Sequence, residues 1–392
     1  MLPSYYEFYN SVKIASGNKA LENIPYELGQ LGANRPLILT DQGVAKAGLT
    51  KLVIDSFAGS NVTIGAVYDS IPVDSSHLVV NQIAEIYRQK SCDSIIAVGG
   101  GSVIDTAKGV NIVVTEGSND LLEFMGNNRL TKPMKPFIVV PTTGTGSEVT
   151  AAAVIMNTEK QTKMQFTSPY MLPKLAILDP RMTETMPPKI TAATALDALT
   201  HAIEAFMGTQ KNPISDAFAT AAIVLIRDNI QNVLKNGKDK DSRLAMANAA
   251  LLAGIAFSNS MVGCVHALAH ALGGVCHVPH GIGNGIMLPH GMEYNLDAVP
   301  EHIAGLLLPL VGEERYVEIP PANRALEAIA AVRALSSMLE QATGIPLRLK
   351  DAGVPEDKLE SIAKVAINDG AIAFNPKAMD FDDALRMLRA AY

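Results

Sequence analysis

Five short, almost unbroken apolar runs, at residues 37–40, 62–68, 94–98, 137–140 and 175–178, punctuate the first half of the chain. Strands that are apolar on both faces need cover on both faces. The stretches between them supply it, because residues 78–89 and 103–114 repeat apolar side chains at helical spacing. Alternation of this kind folds as βαβ crossovers, hence as a parallel, doubly wound sheet. The texture changes after Met186-Pro187-Pro188. From Ile190 onward the chain is rich in Ala, Leu and Ile at helical spacing and nearly free of β-branched runs, so the second half is expected to be all-helical. Each of Pro173, Pro180, Pro187 and Pro188 disfavours a helix just before it, because the ring clashes with an α-conformation in the preceding residue. The division expected is an α/β domain over residues 1–187 and an all-α domain over residues 188–392.

Composition narrows the partners. With 32 Lys and Arg against 39 Asp and Glu, the net charge of −7 lacks the basic excess that neutralising a phosphate backbone requires, so no nucleic-acid partner is expected. The opening residues, MLPSYYEFYN, lack a basic stretch followed by an apolar one, and no window approaches the length of uninterrupted apolar sequence that spans a bilayer. A cytoplasmic protein without a membrane partner is the expectation. Three cysteines, Cys92, Cys264 and Cys276, are too few and odd in number for a disulfide framework, which fits a reducing compartment.

Two loops at strand ends carry binding chemistry. The run ending at Val98 leads into Gly99-Gly100-Gly101-Ser102 and then a helix expected from near Val103, with Asp105 in its first turn. Glycines let the backbone approach an anion closely, and a helix start offers unpaired N–H groups, so a pyrophosphate fits there. The same tetrapeptide reads equally as a tight turn with Ser102 as N-cap. The run ending at Val140 leads into Pro141-Thr142-Thr143-Gly144-Thr145-Gly146-Ser147-Glu148. Hydroxyls of Thr142, Thr143, Thr145 and Ser147 are candidates for phosphate, ribose or carboxamide contacts at the carboxyl end of the sheet. Thr145 and Glu148 also have capping-box spacing, which would open another helix. Asp41, directly after the first run, suits the ribose hydroxyls of an adenosine and would repel a 2′-phosphate, favouring NAD over NADP; it is equally a cap.

Five of the eight histidines, His266, His270, His277, His280 and His290, fall within residues 266–290. His266 and His270 are one helical turn apart, Gly273-Gly274 is expected to end their helix, and Pro279-His280-Gly281 starts the next segment. Such a hairpin brings His280 near His266. Upstream, Asp197 and His201 stand four apart beside the apolar stripe Leu196, Leu199, Ile203 and Phe206, and so project together. One carboxylate and three imidazoles suit Fe(II) or Zn(II), with an open position for Lewis-acid chemistry on an alkoxide or carbonyl oxygen. Cys264 and Cys276 are rival ligands by spacing. A lone histidine on an apolar helix is ordinarily a core residue, and His277 and His290 are read that way.

Together these motifs resemble the iron-containing (group III) alcohol dehydrogenase family over essentially the whole chain. The resemblance implies an N-terminal dinucleotide-binding α/β domain and a C-terminal helical, metal-binding domain, with the active site in the cleft between them. It implies that Asp197, His201, His266 and His280 hold the metal, iron(II) first, with zinc or another transition metal as alternative. It also matches His270 to a non-ligand histidine of the cleft, Phe257 to a substrate-pocket position and Lys163 to a cofactor-side lysine. Cofactor contacts then fall to Asp41, Gly99, Gly100, Gly101, Ser102, Asp105, Thr142, Thr143, Thr145, Ser147 and Lys163. The chain departs from the family at Val73, where an Asn is expected, and at Cys276, where an aromatic is common. The implied activity is reversible oxidation of a small alcohol to its aldehyde or ketone with NAD, by a homo-oligomer. Three alternatives stand beside it: a hydroxyacid-oxoacid transhydrogenase, a dehydroquinate synthase-like enzyme and a non-enzymatic NAD or metal sensor. The second calls for a basic pocket, yet residues 190–208 and 262–292 contain no Lys or Arg.

Overall fold

In the computed structural model, which describes residues 3–159 and 162–392, the apolar runs of the first half pair into one sheet. The strands of the chain are β1 (Lys13–Ser16), β2 (Pro36–Leu39), β3 (Ala66–Tyr68), β4 (Ser94–Gly99), β5 (Gly126–Asn127), β6 (Phe137–Pro141), β7 (Ala152–Asn157), β8 (Thr162–Thr167) and β9 (Leu175–Leu178). Six of them form a wholly parallel sheet in the order β1-β9-β6-β4-β2-β3. Helices α1 (Ile24–Gln30), α2 (Gln42–Lys46), α3 (Leu49–Asp55), α4 (His77–Gln89) and α5 (Gly101–Glu116) connect them. Side chains alternate across the pleat, so Leu37, Leu39, Ile95, Ala97, Phe137 and Val139 enter one core while Ile38, Ile96, Val98, Ile138 and Val140 enter the other. That two-sided burial is why the inner strands are almost wholly apolar. Because β4 lies between β2 and β6, the residues that follow these strands emerge side by side at one edge of the sheet.

Three expectations change. The run at 62–68 is a strand only over Ala66–Tyr68, and the edge strand β1 has no apolar run to announce it. The helix expected after Thr145 does not form: Ser147–Val149 is a single 3-10 turn leading into β7, which pairs antiparallel with β8 in a second, three-stranded sheet ordered β5-β8-β7. Glu148 is turned inward and buried instead of closing a capping box.

Lys108 explains how that turn is held. Its side chain, wholly buried on α5, donates to the carbonyl oxygens of Ser147 (2.9 Å), Thr150 (2.8 Å) and Ala152 (2.8 Å) and to the Thr150 hydroxyl (2.8 Å). Burial lowers the Lys108 pKa to about 8 and raises that of Glu148 to about 7, with each charge partly offsetting the other's burial.

From Pro187 on, the chain forms a helical unit made of Pro187–Gly237, Asn248–Tyr392 and the stretch ending at Tyr9. Its leading helices are α6 (Pro188–Met207), α7 (Pro213–Lys235), α8 (Lys240–Ser260), α9 (Cys264–Cys276) and α10 (His280–Asn295), and among the described residues it contains no strand. The first turns of α8 belong instead with the α/β unit, where Arg243 donates to the Met186 carbonyl (3.1 Å). Pro187 caps α6 and Pro188 is its first residue, a position where a missing N–H costs nothing. Gly273 and Gly274 do not end α9, which continues to Cys276 and stops at His277 in a left-handed conformation (φ 57°). Among the described residues, no single helix is long and apolar enough to cross a membrane.

Replacing Lys108 by Met removes the donor from three carbonyls, one buried and two part-buried, and strands Glu148. A loss of about 3–5 kcal/mol in the unfolding free energy of the α/β unit is expected from chemical denaturation. Glu148 gives a pH signature. Its folded pKa of about 7 lies above the ordinary 4.5, so the native state binds the extra proton between those values and stability falls as pH rises through that window. The Glu148→Gln variant should lose this decline in thermal midpoints measured from acid to neutral pH; parallel curves would contradict it.

Candidate active site

Three helices of the helical unit bring four ligand groups together. Asp197 and His201 project from α6, His266 from α9, and His280 opens α10; one donor atom from each lies within 4.8 Å of all the others. Asp197, His201 and His266 are buried, while the His280 side chain is 43% exposed, which leaves the cluster open on one side. Burial lowers the His201 pKa to about 3, against the pull of Asp197, and takes His266 well below the ordinary histidine value. Both rings are therefore neutral near pH 7 and carry a lone pair that a cation can use. Burial also raises the Asp197 pKa.

The donor set passes a direct test of fit. Glu204, buried and one turn beyond His201, accepts from His266 Nδ1 at 2.6 Å and so leaves Nε2 facing the cluster. A carboxylate behind a ligand imidazole is the usual means of fixing its tautomer. Glu204 also accepts from the backbone N–H groups of Val265 (2.8 Å) and His266 (3.3 Å), although burial raises its pKa to about 7. The buried His201 Nδ1 has no hydrogen-bond partner. A first-row divalent ion with bonds of about 2.0–2.2 Å needs donors a little closer than these, a contraction that side-chain rotation can supply. Among the described residues no cysteine joins this group: Cys264 is buried with its thiol pKa raised by burial, and it accepts from Asn295 (3.6 Å).

Around the four ligands, His201 stacks on Phe257 (centroids 4.1 Å apart) and His270 on His280 (5.3 Å). His270 Nδ1 is 2.8 Å from Asp369 Oδ2. Burial pushes the Asp369 carboxyl up, but its bond to His270, the charge of that ring and the Ala371 N–H together outweigh this and its pKa is lowered. His277 is the helix cap already described, and His290 faces Glu293 at 3.8 Å, so neither belongs to the cluster.

In the α/β unit, the two strand-end loops meet at the carboxyl edge of the sheet. Helix α5 begins at Gly101 with Gly100 as its N-cap, so Ser102 lies in the first turn and is not the cap. Thr142 N donates to the Gly99 carbonyl (3.1 Å), and a Cβ on Gly100 would stand 2.8 Å from Thr143 Oγ1. Thr143 Oγ1 is buried without a partner, and Thr145 Oγ1 is 3.4 Å from Ser147 Oγ. Unsatisfied hydroxyl and N–H donors around a glycine floor fit a pyrophosphate. Asp41 caps α2 through Val44 N (2.9 Å). Asp105 accepts from Val154 N (3.0 Å), a bond that fastens α5 to β7, and Lys163 pairs with Asp74 (2.9 Å). These two residues thus have protein partners, unlike Thr143.

The family model described as iron-containing alcohol dehydrogenase matches residues 11–180, and its C-terminal counterpart matches residues 191–392. The chain belongs to the iron-containing alcohol dehydrogenase family. It is 36% identical to a 1,3-propanediol dehydrogenase of Klebsiella pneumoniae over 96% of both chains. It is also 34% identical to an NAD-dependent methanol dehydrogenase of Bacillus methanolicus, over 96% of this chain and 97% of that one. A crystal structure of a 1,3-propanediol oxidoreductase superposes with a TM-score of 0.93 at 34% identity, over 99% of this chain and 100% of the other.

The four groups of the cluster are each visible in the sequence, but three neighbours escape sequence reading. Glu204 had a signal, since Asp197, His201 and Glu204 recur at four and then three residues on an otherwise apolar helix. Asn284 had the same kind of signal, four residues after His280. Asp369 had none, standing 99 residues from His270 as the cap of a separate 3-10 turn. Metal analysis after purification should find Asp197→Ala and His266→Ala devoid of metal and of turnover, and Glu204→Gln with affinity about 10–100-fold weaker. Full occupancy and activity in the alanine variants would exclude the site.

Proposed function

We propose that this iron-containing-family alcohol dehydrogenase reversibly transfers a hydride between a small alcohol and NAD, with iron(II) at the Asp197, His201, His266 and His280 cluster. The observation that carries the reading is the convergence of those four groups with Glu204 behind His266. When bound, the metal supplies a Lewis acid that lowers the pKa of the alcohol hydroxyl. The names of the relatives, a 1,3-propanediol and a methanol dehydrogenase, support a short substrate.

The side chains divide the remaining work. Phe257, flat against His201, presents an apolar wall that keeps water from that side of the ligand set. Asp369 holds His270 Nδ1, so Nε2 is the atom that accepts the released proton and passes it to solvent, to which the ring is exposed. Gly99, Gly100 and Gly101 with the α5 N-terminus cradle the pyrophosphate, and Thr142, Thr143, Thr145 and Ser147 contribute hydroxyls. Asp41 stands at the end of β2, beside β4, where its charge favours ribose hydroxyls over a 2′-phosphate.

The test is anaerobic reconstitution with iron(II), then an absorbance screen of NAD and NADP against short alcohols and aldehydes. NADH should be released, with NAD preferred about tenfold or more, the factor that about 1.4 kcal/mol of repulsion at Asp41 gives. No turnover with any short alcohol or aldehyde defeats the reading. His270→Ala should keep its metal, lose about 10²-fold in rate and show an altered pH–rate profile; an unchanged profile removes the relay.

A further inference from the structure

Asn284 lies one turn into α10, wholly buried. Its amide nitrogen is 2.7 Å from Asp197 Oδ1, 3.2 Å from His266 Nε2 and 3.1 Å from His280 Nε2. One atom thus touches a ligand from each of the three helices α6, α9 and α10. The amide has two hydrogens for these three acceptors, and Asp197 takes the shortest bond. Turning the amide over would set oxygen against carboxylate oxygen, so Asp197 decides its orientation.

The placement is imposed by backbone packing. A Cβ on Gly281 would lie 2.3 Å from the Ala193 carbonyl oxygen and one on Gly285 2.5 Å from Leu196 Cδ1, so α10 rests directly on α6 on either side of Asn284. Gly283 packs on Ala269 of α9, where a Cβ would lie 3.3 Å from the Ala269 Cβ. At the same time Asn284 Oδ1 is buried with no partner. An unpaired buried carbonyl is destabilising, so packing alone would favour an apolar side chain at this junction. What the residue gains is on its nitrogen side.

We propose that Asn284 is a positioning residue for the metal centre. Its amide hydrogens take the place of positive charge among the ligand atoms, hold the Asp197 carboxylate and the Nε2 edges of His266 and His280 toward one point before an ion arrives, and keep Asp197 oriented afterwards. This rests on the reading of Asp197, His201, His266 and His280 as the ligands. Partners that orient ligands in this way shift metal affinity about 10–100-fold.

The full-length, metal-free protein is titrated with Co(II), using chelator competition for the dissociation constant and ligand-field absorption for the coordination geometry. Asn284→Leu, of the same branched shape but bulkier and without donors, should bind Co(II) about 10–100-fold more weakly and with displaced absorption bands, at unchanged far-UV circular dichroism. If the Leu variant does not fold, Asn284→Ala carries the same expectation. Parental affinity and bands in a folded Asn284 variant overturn the proposal and leave the metal reading intact. Failure of the parent to bind Co(II), or undiminished binding by Asp197→Ala, overturns both.

Discussion

The bond between Glu204 and His266 is the contact on which the helical unit's polar centre depends. A carboxylate inside an apolar bundle is costly unless its oxygens are occupied, and here α9 occupies them. Gly263 holds the N-cap position of α9 and, having no side chain, makes no capping bond of its own. Glu204 reaches over from α6 and accepts the N–H groups of Val265 and His266, doing from a neighbouring helix what a capping residue does locally. The positive end of the α9 dipole offsets the carboxylate charge. One side chain therefore sets the start of α9 against α6 and the tautomer of His266, and through the rise of α9 it sets where His270 meets Asp369.

The α/β unit has a counterpart of opposite sign. Lys108 puts a cation where the chain has irregular backbone, and the carbonyls it gathers are those a helix or a sheet would otherwise have satisfied. Because α5 carries both Lys108 and the glycine turn, the hydroxyl-rich loop is fixed relative to that turn by a single rigid element. Each unit thus uses one buried charge to tie a loop or helix start to a neighbour, and each charge is answered mainly by backbone.

The sequence revealed the parallel sheet, the helical second half and the grouping of Asp197, His201, His266 and His280 because each left a periodic or local trace. Runs such as 95–98 are apolar throughout because helices cover both faces, and the pair Asp197 and His201 shows its spacing directly. What stayed hidden had tertiary causes. Strand β1 is an edge strand whose pairing with β9 needs no apolar run. The stretch from Thr145 to Glu148 has the spacing of a helix start, but Gly146 is left-handed (φ 77°) and Glu148 is drawn into the core, so the chain turns into β7 instead. Glycines 273 and 274 looked like a helix stop, yet hydrogen bonds carry α9 past them to a cap made by His277. The bond from Asp369 to His270 joins distant segments and leaves no pattern in either.

The arrangement of the ligands on α6, α9 and α10 bears on the order in which this protein matures. Asp197 and His201 alone are one helical turn and can hold an ion only weakly. His266 comes from α9, and His280 joins once α10 has packed onto α6 through the bare backbone at Gly281, a contact between segments far apart in the chain. Long-range contacts of this kind form late, because the loop between them must close first. All four donor groups stand together only when the three helices are packed, so a site of this kind is complete only in the assembled unit.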